Sequence, residues 1–259
     1  MRTATEQQID AHAADKLTVF RLAANPRILV LDFGSLREQG LMLNRVAGFA
    51  EKLGEPHDRV LTDAELAKAI ADSGATVETY YYGHDYPASV LARFFATADR
   101  DHVALDPEEA RLRTLMAQEG WLAPGVDAGV ISIPRVGADA TVTAAARTTI
   151  LHHELSHAEF FSDPAYARYV RHFWTTALTA PERASIRSWL ASESYDPGLE
   201  EVMLNEMQAY LMFTRDPEFF TPGAIAMSPA RLAELQAAFL RDMPPSWLRD
   251  DLARSLDRQ

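Results

Sequence analysis

The chain contains no cysteine. Disulfides, thiolate nucleophiles and thiolate metal ligands are therefore excluded, and any metal must be held by histidine, aspartate or glutamate. Positive charge is also scarce, with 25 Lys and Arg against 37 Asp and Glu and a formal net charge of −12. A nucleic-acid backbone or an anionic membrane surface would need a basic face, so neither is expected as the main partner. No apolar run approaches the roughly 20 residues of a membrane span, and the polar stretch Met1 to Lys16 lacks the apolar segment of a secretory leader. These absences predict a cytoplasmic protein without a membrane span, export followed by leader removal being the alternative.

What is present is an ordinary globular composition. A chain of 259 residues with 47% hydrophobic content can bury a large core, as one domain or as two lobes sharing a cleft. No internal repeat or low-complexity segment interrupts it. After a polar lead-in over residues 1 to 18, the run Arg27 to Phe33 between Pro26 and Gly34 reads as a buried strand. Ser35-x-x-Glu38 reads as a capping box that opens a helix with an apolar face ending near Gly54. Thr62-x-x-Glu65 opens a shorter helix that closes at Gly74.

The stretch Thr79 to Pro87 is a dense aromatic turn containing Gly83, His84 and Asp85. It reads as core aromatics with Asp85 capping the helix that follows Pro87; a pocket lining is the other reading. Helices are predicted over 87 to 98 and 107 to 118, with a loop over 120 to 129. Gly129 to Val136 is then a short alternating strand containing Pro134. Proline is tolerated mainly where no ladder bond is lost, which predicts a sheet edge here.

Next comes a helix predicted over roughly 141 to 161, capped by Asp139 or Thr141, and it carries His152-His153-Glu154-Leu155-Ser156-His157. His153 and His157, four apart, project from one helix face where two imidazoles can grip one zinc ion, and Glu154 between them can act as general base on a water. The bland alternative is a pair of satisfied core histidines. His152, about 100° around the helix, faces away from such a site.

Two histidines do not complete a catalytic zinc site, which uses three protein ligands. Phe160 and Asp163 occupy the positions where a HExxHxxGxxH extension would place glycine and histidine, so that class is excluded. The third ligand is expected from a later helix, over Asp196 to Phe213, that offers Glu200, Glu201 and Glu206. Glu206 is the best of the three because Met203, Leu204, Met207, Tyr210 and Leu211 surround it, and a carboxylate among apolar groups is costly unless paired or metal-bound. Glu200 and Glu201 lie in a first turn that favours acidic residues for electrostatic reasons alone. Further helices are predicted over 164 to 178, 179 to 190, 228 to 242 and 245 to 256.

His153-Glu154-x-x-His157 followed by Asn205-Glu206-x-x-Ala209-Tyr210 resembles the gluzincin, or thermolysin-like, class of zinc metallopeptidases over about residues 129 to 214. The resemblance implies zinc bound by His153, His157 and Glu206, with Glu154 activating water for hydrolysis of a peptide or protein substrate. It also implies an active-site cleft between an α/β lobe and a helical lobe. The sequence departs from that class in the long interval between His157 and Glu206, and no oxyanion-stabilising residue can be matched; Tyr210, Tyr195, His84 and Tyr80 to Tyr82 are the available donors.

The expected fold is thus α+β and zincin-like. A small mixed sheet would carry an edge strand just before the HExxH helix, placed to receive substrate by strand addition. Residues 1–161 would form the α/β lobe and 162–259 a helical lobe carrying the third ligand. The alternative functions are hydrolysis of a non-peptide amide or ester, and a non-catalytic binding protein on the same fold.

Overall fold

The computed structural model describes residues 1–256, with side chains as far as Ala253. Five strands form a mixed sheet in the order β1-β2-β3-β5-β4, where β1 is Arg2–Ala4, β2 Thr18–Leu22, β3 Ile28–Phe33, β4 His84–Pro87 and β5 Gly129–Pro134. The central strands β3 and β5 run parallel and every residue of both is buried, as expected for strands covered on both faces. On one face Leu29, Leu31, Phe33 and Val130 pack against α2 (Leu36–Ala50), α4 (Ala88–Arg100) and α5 (Pro107–Gln118). On the other, Ile28, Val30, Ile131 and Ile133 meet Ile150, Leu151, Leu155 and Ala158 of α6 (Ala144–Ser162). An α+β fold with a mixed sheet and a largely helical C-terminal half is therefore what the chain adopts.

The expected edge position of the strand before the HExxH helix is not observed. β5 is paired on both sides, with β3 and with β4. Pro134 fits there because it ends the strand: Arg135 N–H donates to Phe33 O, and the alternation of strand N–H groups turns the nitrogen of Pro134 to the opposite side. On that side β4 has already ended, since its first residue, His84, faces Ser132. The edge is β4 itself, antiparallel to β5 and terminated by Pro87. Asp85 accordingly lies within this strand and does not cap a helix; Pro87 precedes α4.

The predicted lead-in is also more structured than its polarity suggests. Arg2–Ala4 pairs in parallel with β2, and a capping box of Thr5 and Gln8 starts α1 (Glu6–Asp10). Capping boxes do start α3 (Asp63–Asp72), α5 and α8 (Ala180–Ser192). Ser35 makes no capping bond; Glu38 instead pairs with Arg111 at 2.8 Å.

The remaining helices, α7 (Pro164–Thr176), α9 (Glu200–Gln208), α10 (Pro229–Asp242) and α11 (Trp247–Leu256), join α8 around a separate apolar core that includes Trp174, Met203, Leu211 and Phe239. α9 continues into a π-helical turn, Ala209–Phe213. Among the described residues no helix is long and apolar enough to cross a membrane.

Candidate metal centre

The position of α6 follows from its two ends. Thr143, rather than Asp139 or Thr141, caps it by accepting from Ala146 N–H. One turn on, buried Arg147 donates to Asp32 Oδ1 at 2.8 Å, to Pro134 O at 2.7 Å and to Ile9 O at 2.6 Å, which ties the helix to β3, β5 and α1. Near its far end Gly129 lets β5 approach closely, since a Cβ there would lie 3.3 Å from Ala158 Cα. Between these anchors His153 and His157 point the same way, their ring centroids 4.7 Å apart.

α9 brings Glu206 to them. The Nε2 atoms of His153 and His157 are 3.0 Å apart, and each lies 3.6 Å from an oxygen of Glu206. In a tetrahedral zinc site with Zn–N near 2.0–2.1 Å, neighbouring donor atoms stand about 3.3 Å apart. The three donors thus enclose a space of the right size, and all are buried or nearly so, with side-chain exposures of 12%, 0% and 2%. Glu200 and Glu201 are engaged elsewhere, with Arg187 and Trp174 and with Arg171 respectively. His152 faces away as expected, 2.6 Å from Glu6 Oε1.

The protonation state suits a cation. Burial lowers His153 to about 3. Burial likewise lowers His157 to about 4, against the opposing pull of Glu206. Both rings are therefore neutral near pH 7. His153 Nδ1 lies 2.8 Å from Thr214 Oγ1, whose own proton goes to Ala209 O at 3.1 Å. The hydroxyl must then accept from Nδ1–H, which leaves the Nε2 lone pair facing Glu206. The π-helical turn sets this contact, because Thr214 N–H bonds back to Ala209 O and brings the side chain under the ring. Tyr210, also on that turn, stacks edge-on against His153 at 4.7 Å.

α9 is locked to α6 by a buried chain of side chains. Tyr166 OH donates to Gln208 Oε1 at 2.6 Å, and Gln208 Nε2 donates to Ser156 Oγ at 3.0 Å.

Two acids that sequence reasoning did not assign join the cluster. Asp85 Oδ2 on β4 is 3.7 Å from His157 Nε2, and Glu51, just after α2, groups with Asp85 and Glu206. Burial raises the pKa of Glu51, Asp85, Glu154 and Glu206, and their mutual repulsion adds to this for the first three. Glu154 Oε2 and Glu206 Oε2 are buried without any hydrogen-bond partner. Buried carboxylates gathered around two neutral imidazoles are costly unless a cation joins them. The donor set could therefore hold a metal ion, and His153, His157 and Glu206 form one group of donors close enough together to do so.

Gly83 is the other residue missed. A Cβ there would fall 2.0 Å from Glu154 Oε1, so only glycine leaves room for that carboxylate. Of the suggested oxyanion donors, His84 lies inside the sheet against Ser132 Oγ at 2.9 Å, while Tyr195, Tyr210 and Tyr80 to Tyr82 line a cavity beside His153 and Glu154.

Two cavities flank the cluster and share no lining residue. One of about 450 Å³ touches Glu51, Asp85 and Glu206; one of about 240 Å³ touches Lys52, Gly83, His153 and Glu154. Comparison with protein-family models, with curated proteins and with solved structures finds no match.

Proposed function

We propose that the protein is a zinc-dependent hydrolase of zincin-like fold, akin to the gluzincin metallopeptidases, and that it cleaves peptide bonds. The observation that carries the reading is the meeting of His153, His157 and Glu206 at separations of 3.0 to 3.6 Å, with Glu154 Oε2 unpartnered beside them. Zinc held there would polarise a scissile carbonyl and ease the deprotonation of water.

The chain's own residues do the rest. Glu154 Oε2, free of hydrogen bonds, accepts the proton of the attacking water and passes it to the leaving nitrogen. Burial, with Glu206 and Glu51 nearby, makes its carboxylate basic enough to hold that proton between the two transfers. The outer edge of β4, the strand that carries Asp85 and follows Gly83, suits an extended peptide added as a further strand.

Elemental analysis of purified protein, with a mixed peptide library digested in the presence and absence of a chelator, tests the reading. Bound zinc and chelator-sensitive cleavage are expected. Glu206→Ala should lose the zinc, whereas Glu154→Gln should keep it and lose turnover. Zinc without peptide cleavage, but with hydrolysis of other amides or esters, would move the substrate class; zinc without any hydrolysis would make the protein a binding module.

A further inference from the structure

Lys52 is a buried cation without a direct ion pair, Glu51 and Glu55 acting on it only at longer range. It is 8% exposed, and among the described residues no carboxylate oxygen lies within salt-bridge distance of its ammonium. The nitrogen instead stands 4.1 Å from the centre of the Tyr80 ring and 4.7 Å from that of Tyr81. Two aromatic faces attract a cation but do not accept the hydrogen bonds of an ammonium group as a carboxylate would.

The backbone around Lys52 is fixed. Leu53 N–H donates to Ser194 O at 2.9 Å and Asp196 N–H to Glu51 O at 2.9 Å, closing a bridge between Lys52 and Tyr195. Glu51 enters the larger cavity with Glu206 and Asp85, and Lys52 enters the smaller one with His153 and Glu154. Glu51 makes no ion pair with Lys52, although the two still attract each other at longer range. Glu193, the remaining acidic group of the smaller cavity apart from Glu154, is exposed to water.

We propose that Lys52 is the anion subsite of this hydrolase, receiving a substrate carboxylate in the smaller cavity next to His153 and Glu154. The inference rests on the hydrolase reading and narrows its substrates to peptides bearing a carboxylate close to the scissile bond. That carboxylate is either the C-terminus of the chain or an acidic side chain. A volume of about 240 Å³ admits a residue or two at that end. Burial also lowers the pKa of Lys52, so an incoming carboxylate restores the charged state that the site otherwise disfavours.

Binding separates this proposal from turnover. Three sets of N-acetylated peptides are titrated by calorimetry into zinc-loaded Glu154→Gln protein: free C-terminal acids without Asp or Glu, the same sequences amidated, and amidated sequences containing one Glu. One of the carboxylate-bearing sets should bind about 10- to 100-fold more tightly than the amidated neutral set, the range for a hydrogen bond to a charged group. Preference for the first set identifies a terminal carboxylate, and preference for the third an acidic side chain. Lys52→Met in the same background should abolish the preference, whereas Lys52→Arg should retain it; both are checked for zinc content and melting temperature. Equal binding of all three sets, binding of none, or a preference that survives in Lys52→Met overturns the proposal. Failure of the hydrolase reading shows differently, as absence of cleavage of every set by the zinc-loaded protein with Glu154 intact.

Discussion

Gly83→Ala tests the proposed role of Glu154 without touching any of the proposed metal ligands. The added methyl would sit 2.0 Å from Glu154 Oε1, 2.9 Å from its Cδ and 3.0 Å from Ile150 Cγ2. Ordinary contact begins near 3.4 Å, so the carboxylate oxygen must retreat by more than 1 Å. The backbone at Gly83 is outside the left-handed region, so alanine brings no conformational strain of its own. A displacement of about 1 Å in a reacting group costs on the order of 100-fold in rate, or about 2.7 kcal/mol of barrier. The loss should fall on kcat, with zinc stoichiometry unchanged. Because the substitution acts through Glu154, Gly83→Ala combined with Glu154→Gln should be no slower than Glu154→Gln alone. Steady-state hydrolysis of a responsive peptide, with zinc measured on the same samples, reads both quantities. A Gly83→Ala protein that turns over at the unsubstituted rate would refute the contact, the general-base role, or both.

Two further outcomes follow from the ligand surroundings. Thr214→Val removes the oxygen that accepts from His153 Nδ1 and should weaken zinc binding by about 10- to 100-fold in competition with a chelating dye, while the fold is kept; unchanged affinity would mean that the ring is oriented by other contacts. Zinc binding should also release protons in the pH range, above that of ordinary carboxylates, where the buried acids titrate. The histidines, at about 3 and about 4, are already neutral above the ordinary carboxylate range, so the protons come from the carboxylates that burial pushes up. Affinity should therefore rise with pH through the raised carboxylate range, the deprotonated forms being the ones that attract the ion. Calorimetry in two buffers of different ionisation heat measures the release, and a value of zero contradicts it.

The half of the centre carried by α6 was legible because its spacing is local: residues four apart share a helix face whatever the rest of the chain does. Glu206 could be singled out because an acid amid methionines and leucines has to be explained. Asp85 and Glu51 carried no such mark. Each is ordinary in its own stretch; Asp85 becomes part of the site through the sheet order, which puts β4 beside β5, and Glu51 through the end of α2 and its backbone bond with Asp196. That order also decided the misreading of Pro134, where the side to which a missing N–H points mattered more than its presence in a strand. β1 and β2 escaped notice because inward Phe20 and Leu22 alternate with Val19 and Arg21, a pattern too short to stand out from a polar lead-in. The π-helical turn after α9 was invisible in a segment whose composition reads as plain helix, yet it sets the Thr214 contact.

The bridge between Glu51–Leu53 and Ser194–Asp196 acts as a partition. With no lining residue in common, the two cavities open on different sides of the cluster. For a hydrolase this decouples the departure of its products, because the amine fragment and the acid fragment can each retreat along its own side without passing the other. On the proposed reading, whichever fragment keeps a carboxylate beside Lys52 after cleavage would compete with the next substrate for that cation.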